Sequence, residues 1–585
     1  MSPEELGIQT SYWVIGNEQR HVPRGTVDAL RSVLEGFEAG AAPIERGQAY
    51  LPPTLDERGK AWGLAVQLYA LRSERNWGVG DFTDLAAVMR WAASLGATYV
   101  GVNPLHALPY ADPGRRSPYY PSSRLFLNVF AIDPDAVAVG DEAVDLRSDE
   151  ARRRIAAARE GDTIDYHAVA AAKKPAFDAL WEGFKVHANT ARRTAFQQFR
   201  EKGGEPLRRH ALFEALAERF APEHGAGFPV WPEAYRDPES DEVASFAAEA
   251  EDRVAFHGYL QWIADLQLAD AAGAGVANDP PTTLYLDLAV GSAPDGSEVW
   301  SGGDVYARGM RMGCPPDPMA MAGQDWGLPP MNPRALAGRD FRPLRRVLEA
   351  SMRHAGALRI DHVLGYDRQF WIPDGVGAPE GGYVAFPRDD MLAVAAEASR
   401  NARCLLVGED LGTVPEGLTE ALHAANLLSY EVARWSRDDH GAFLPADQYP
   451  RLCLAVASTH DIAPVVGWAK GQDIRDRAAI ESWSEDELAR VLAEREGEVR
   501  GLCALWGADP NGSPRDMVAA AHRFLAATNA AVVMATLEDV LLQEPQVNMP
   551  GTTDEHPNWR LRYARDLEDW TKDEEVRELT RAAAR

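Results

Sequence analysis

Cysteine is scarce in this chain. Four occur in 585 residues, Cys314, Cys404, Cys453 and Cys503, far apart and with no C-x-x-C pair. That spacing suits neither a disulfide framework nor a cysteine zinc site. Histidines at metal-ligand spacing are missing too, since the chain has no H-x-H and no H-E-x-x-H. Positive charge is in short supply: 60 Lys and Arg against 88 Asp and Glu leave a formal net charge of −28. A field of that sign repels nucleic acid and anionic membrane surfaces, while a neutral ligand such as a sugar does not feel it. No uninterrupted apolar run reaches membrane-spanning length. The start, Met1-Ser2-Pro3-Glu4-Glu5, lacks the basic and apolar regions of a secretory signal. The expected setting is reducing and cytoplasmic, with neither membrane nor nucleic acid as partner.

What is present is a rhythm of short apolar runs. Residues 1–58 read as an N-terminal extension and linker. Gly7–Pro23 carries Tyr12, Trp13, Val14 and Ile15 ahead of a Gly-Asn turn, which predicts a hairpin. Thr26 is placed to cap an amphipathic run through Leu34, and Ala41–Arg58 is rich in proline and turn residues. From Trp62 the pattern becomes strand (Gly63–Leu68), loop (Arg72–Gly80), helix (Asp81–Leu95) and strand (Ala97–Val102). That is the βαβ alternation of a parallel sheet.

Residues from about 135 to 275 break the rhythm. Asp149–Arg159, Ala171–Gln198, Leu207–Phe220 and Asp241–Ala272 carry apolar residues at helical spacing, which predicts a helical insertion over one rim. Strand-like runs then resume at Thr283–Leu288, Ala357–Ile360, Cys404–Val407, Leu427–Val432, Cys453–Ala457 and Ala530–Ala535, for a total of eight. The fold class expected is α/β, a (β/α)8 barrel filling residues 59–585.

Three runs, the fourth, fifth and seventh, end in carboxylates: Asp361-His362, Glu409-Asp410 and His460-Asp461. Strand ends are where a parallel barrel assembles its site. Glycosidic bond cleavage needs one carboxylic acid to protonate the departing oxygen and one carboxylate to attack or to activate water. Asp361 has the shorter arm and Arg359 two residues before it, on the same side of the strand, to hold it ionised. That favours Asp361 as nucleophile. Glu409 has the longer reach, and apolar Leu405–Val407 beside it raise its pKa, as a general acid requires. Asp461 with His460 is placed to hold sugar hydroxyls.

The same residues admit other readings. Arg359 and Asp361 alone make a structural ion pair, and Asp410 alone makes a helix cap. As a set, the three tips also resemble the ligands of a metal-dependent hydrolase barrel. A non-catalytic glucan-binding protein is a further alternative. Aromatic residues favour a sugar: Ser117-Pro118-Tyr119-Tyr120-Pro121 follows the second strand, and Trp326 lies in the Gly- and Pro-rich active-site loop Gly313–Pro333. Aromatic faces stack on the apolar faces of sugar rings.

Taken together, RIDH (359–362), GEDLG (408–412) and STHD (458–461) resemble the signatures of amylomaltases, the 4-α-glucanotransferases of the α-amylase clan. LRSERNWGVGDFTDL (71–85), NPLHALP (103–109), SPYYPSSR (117–124), GCPPD (313–317), GQDWGLPP (323–330) and NMPGTTDEHPNW (548–559) match as well. The likeness runs from about Trp62 to Tyr563 and is to the bacterial maltose-utilisation type. The short preamble departs from larger members, which carry β-sandwich-like extensions. The resemblance implies double-displacement transfer of α-1,4-glucan segments between maltooligosaccharides, without cofactor or catalytic metal. Carried over by motif, Asp361 is the nucleophile, Glu409 the acid/base and Asp461 the transition-state stabiliser, with Arg359 and His460 as companions. Tyr119 would stack on the cleaved glucose, Asp295 would touch sugar hydroxyls, and Gln324 and Trp326 would cover the acceptor side. A glucan hydrolase of the same clan is the runner-up.

Overall fold

All eight apolar runs form strands in the computed structural model, which describes residues 1–14, 18–37, 44–56, 59–138, 144–276, 281–316, 322–438 and 440–584. They are β1 (Ala61–Val66), β2 (Tyr99–Val102), β3 (Thr283–Leu288), β4 (Ala355–Ile360), β5 (Leu405–Gly408), β6 (Ser429–Val432), β7 (Cys453–Val456) and β8 (Val532–Thr536). From β6 through β7, β8, β1, β2, β3 and β4 to β5, each strand pairs in parallel with the next. The ring closes between β5 and β6, where the Gly408 N–H donates to Leu428 O at 2.8 Å and the Leu428 N–H donates to Leu406 O at 3.0 Å.

Alternation along the strands divides two cores. Tyr99, Tyr285, Leu405, Val407, Leu454, Val456, Val532 and Met534 fill the barrel. Leu406, Cys453, Ala455 and Val533 face the outer helices. Barrel filling leaves little room at Gly63, where a Cβ would stand 2.5 Å from Tyr99 O. The helix after β1, Phe82–Ser94, is started by the Asp81 carboxylate, which accepts from the Thr83 and Asp84 amides in a capping box.

The insertion between β2 and β3 is helical, with breaks that periodicity does not register. Its helices are Asp149–Ala158, Tyr166–His187, Thr190–His224, Asp241–Glu249 and Glu251–Gly273. The continuous run 171–198 is interrupted at Asn189, whose side chain accepts from the Arg192 N–H. The run 207–220 belongs to a longer helix, kinked at Gly204 with φ 53°.

The stretch 313–333 is only partly a loop. Met310–Cys314 pairs with Gln324–Asp325 and with Arg368–Pro373, which pairs with Gly382–Ala385, giving a small antiparallel sheet built from the excursions after β3 and β4. Asp317 of the 313–317 motif lies outside the described residues. The N-terminal extension covers this sheet. Its strands Ser11–Val14 and Glu18–His21 are antiparallel, with the Gly-Asn turn between them outside the described residues. Tyr12 meets Phe370 and Tyr383 edge-on at 5.6 and 5.4 Å. Thr26 is not a cap: the helix Arg24–Leu34 begins before it, and its hydroxyl donates to Glu380 O at 2.7 Å. Of residues 41–58, the described 44–56 run along the outer helices, the Ala49 N–H donating to Ala425 O at 2.7 Å. Among the described residues no helix is long and apolar enough to cross a membrane.

Candidate active site

β4 is buried on both faces and ends in Arg359-Ile360, with Asp361 one step beyond. Arg359 and Asp361 therefore share a side, and Arg359 Nη2 stands 2.9 Å from Asp361 Oδ1. The next residue, His362, turns the chain in the left-handed region at φ 48° and ψ 57°. That conformation costs a non-glycine residue on the order of 1 kcal/mol. It also aims the His362 N–H at Glu409 Oε2, at 2.9 Å. The Leu411 N–H holds the other oxygen, Oε1, at 2.8 Å. Arg359 Nη2 is 3.8 Å from Glu409 Oε2, so one nitrogen faces both carboxylates.

Arg359 is itself held from β3, its register neighbour, where Asp287 takes Nη1 at 2.9 and 3.0 Å. Asp287 also accepts from the Tyr119 hydroxyl at 2.5 Å. The Tyr119 ring stacks on His460, centroids 4.7 Å apart, and Trp559 closes the group at 5.4 Å from Tyr119. At the tip of β7, His460 Nε2 lies 3.2 Å from Asp461 Oδ2, while Asn548 Nδ2 donates to Asp461 Oδ1 at 2.6 Å. Asp410 is no helix cap. Its carboxylate accepts from the Tyr430 N–H at 2.9 Å, tying β5 to β6.

These residues surround an open cleft at the C-terminal mouth of the barrel, lined by Asp361, Glu409, Asp461, Tyr119, Gln324 and Trp326, among others. Trp326 meets His362 edge-on at 5.0 Å. Two of the expected sugar contacts stand behind this wall. Arg359 is engaged by carboxylates beneath the cleft, and Asp295 is gripped by the Arg115 guanidinium through both oxygens. Gly227 allows the chain past Asp295, since a Cβ there would sit 2.4 Å from its carboxylate.

Burial dominates the electrostatics. It raises Asp361 to about 6, with Arg359 pulling down and Glu409 pushing up. Arg359 thus does not hold Asp361 low, as its place two residues earlier suggests it should, because burial outweighs its pull and Glu409 and Asp287 push the same way as burial. Burial raises Glu409 also, against Arg359 and the two backbone N–H groups. At the other tip, burial works against the ions but the pair wins: Asp461 falls and His460 rises, each through the other, with Asn548 helping Asp461. The set therefore holds a reluctant carboxylate pair beside an ionised Asp461.

Asp287, Asn548 and Trp559 were not singled out by the sequence reading. Asp287 is an acid within an apolar run, a signal available in the sequence. Asn548 and Trp559 fall in a motif whose individual side chains no spacing argument separates.

A protein-family model described as 4-alpha-glucanotransferase (glycoside hydrolase family 77) matches residues 66–568. The 4-alpha-glucanotransferase of Mycobacterium tuberculosis is 38% identical over 535 residues, covering 87% of this chain and 72% of the relative. That of Haemophilus influenzae is 34% identical over 544 residues, covering 89% and 77%. Among solved structures, amylomaltase from Corynebacterium glutamicum superposes with a TM-score of 0.86 at 23% identity over 99% of both chains. With the barrel, its strand-end acids and these relatives in agreement, the chain belongs to the 4-alpha-glucanotransferase (amylomaltase) family.

Proposed function

We propose that the protein transfers α-1,4-glucan segments between maltooligosaccharides by a retaining double displacement, in maltodextrin and glycogen metabolism. The observation that carries this reading is the shared nitrogen, Arg359 Nη2, at 2.9 Å from Asp361 and 3.8 Å from Glu409. Carboxyls so tethered suit the separation of about 5–5.5 Å used by retaining enzymes. Asp361, bound to the cation, attacks the anomeric carbon. Glu409, raised by burial, protonates the departing oxygen and then deprotonates the acceptor 4-hydroxyl. Asp461, ionised through His460 and Asn548, stabilises the oxocarbenium-like transition state. Tyr119 stacks on the donor sugar, Asp295 acts through Arg115 on the cleft wall, and Gln324 with Trp326 holds the acceptor and keeps water out. The setting is cytoplasmic, consistent with four cysteines that form no disulfide.

Against a metal-dependent hydrolase, the place between Asp287, Asp361 and Glu409 where a cation would sit is taken by Arg359. The role of each carboxylate is tested with Glu409→Gln and an α-glucosyl fluoride, whose leaving group needs no acid. A glucosyl adduct on Asp361, found by peptide mass analysis, is the expected outcome. An adduct elsewhere, or none together with inactivation by EDTA, would sink the assignment.

A further inference from the structure

The loop 459–464 that carries His460 and Asp461 is held at both ends by two buried residues from other strands. Asp539, fully buried just after β8, accepts from Ser458 Oγ before the loop and from the Val465 N–H after it, the latter at 2.6 Å. Arg434, buried just after β6, donates to Ala457 O before the loop at 3.0 Å and to Ala463 O near its end at 2.7 Å. An acid gathers the donors of the two stems, and a base gathers their carbonyls. Strands β6 and β8 flank β7 on either side, so the loop is gripped from both neighbours.

A simpler role for Asp539 is capping the short helix Leu537–Val540, since it stands at the third position after Thr536. Thr536 Oγ1 donates to Asp539 Oδ2 at 2.9 Å and already accepts the helix amide. The bonds to Ser458 and Val465 cross 81 and 74 residues and contribute nothing to that cap.

We propose that Asp539 and Arg434 are positioning residues, a two-sided clamp that fixes Asp461 and His460 for the transition state. This rests on the role given to Asp461 above. Misplacing a catalytic group by about 1 Å costs on the order of 100-fold in rate. Asp539→Ala should therefore lower kcat for maltotriose disproportionation by about 10- to 100-fold, with KM changing less than about twofold, because ground-state binding is shared over the whole cleft. Asp539→Asn keeps an oxygen for the Val465 N–H and should recover most of the loss. If the clamp acts through Asp461, the double variant Asp461→Asn with Asp539→Ala should be no slower than Asp461→Asn alone. Losses that multiply, or a raised KM at unchanged kcat, would overturn the proposal.

Hydrogen exchange gives a readout independent of turnover. Peptides spanning 458–465 should exchange about tenfold faster in Asp539→Ala and in Arg434→Met, with the tips of β4 and β5 unchanged. Unchanged exchange over 458–465 would refute the clamp. If Asp539→Ala fails to fold, Ser458→Ala removes one of its two grips and must show the same pattern at smaller amplitude. Wild-type turnover in Asp461→Asn would instead refute the role of Asp461, leaving the exchange result to judge the clamp.

Discussion

Replacing the nucleophile should make this protein more stable while abolishing its activity. Buried Asp287 and Glu409 and half-buried Asp361 surround a single guanidinium, that of Arg359. Burial lifts Asp361 from its ordinary 3.8 to about 6, so the ionised form is the unfavourable one in the folded protein. A rise of that size corresponds to about 3 kcal/mol, at about 1.4 kcal/mol per pH unit. The sign follows from linkage. A carboxyl raised in the folded state favours folding fully below its unfolded pKa, and that contribution is lost as the pH climbs through the folded value. Asp361→Asn keeps the shape and an acceptor for Arg359 but has no charge to bury. Its gain over wild type should reach about 2–3 kcal/mol above about pH 7 and vanish near pH 4. Urea denaturation of both proteins at several pH values, followed by tryptophan fluorescence, reads this as a difference in midpoint that opens with rising pH. A variant equally stable at about pH 8, or one whose gain does not depend on pH, would refute the claim that the fold penalises the ionised Asp361.

Other consequences are as direct. Because Asp361 must be ionised to attack, kcat/KM should fall on the acid side with an apparent pKa near 6, read from a pH–rate profile on maltotriose. Tyr119→Phe keeps the ring stacked on His460 but removes the 2.5 Å bond to Asp287. A loss of roughly tenfold in kcat/KM is expected, about the 1.5 kcal/mol of a hydrogen bond to a charged group. Trp326→Ala opens the cleft wall beside His362, so the share of turnovers ending in free reducing sugar should rise; an unchanged ratio would remove Trp326 from the water-excluding role. Arg124→Met strands the Glu298 carboxylate in the protein interior, where Arg124 is its ion-pair partner, and should cost about 3–5 kcal/mol of stability by denaturation.

The barrel was legible because a parallel sheet buried on both faces writes each strand as an unbroken apolar run. Thr283–Leu288 was placed to the residue, and the other seven differ from the observed strands by one or two residues at an end. The three acidic tips stood out against that apolar background. The small sheet did not, because its strands mix polar and apolar residues and pair across gaps that no local pattern reports. Met310–Cys314 meets Arg368–Pro373 only because both excursions return over the same edge of the barrel mouth. Helical breaks at Asn189 and Ala250 lie within continuous periodicity, one set by a side-chain cap and the other without one. The balance of charge was the least legible part. Local sequence pairs Arg359 with Asp361, whereas the fold adds Asp287 and Glu409 to the same cation.

Transfer differs from hydrolysis in one countable quantity, because each glycosidic bond broken is replaced by another. Incubating the purified protein with maltotriose alone, with and without EDTA, and following both product lengths and total reducing ends tests this directly. The account predicts glucose and a ladder of longer maltodextrins at constant reducing ends, indifferent to EDTA. Reducing ends that rise without longer products would contradict it and make the protein a hydrolase.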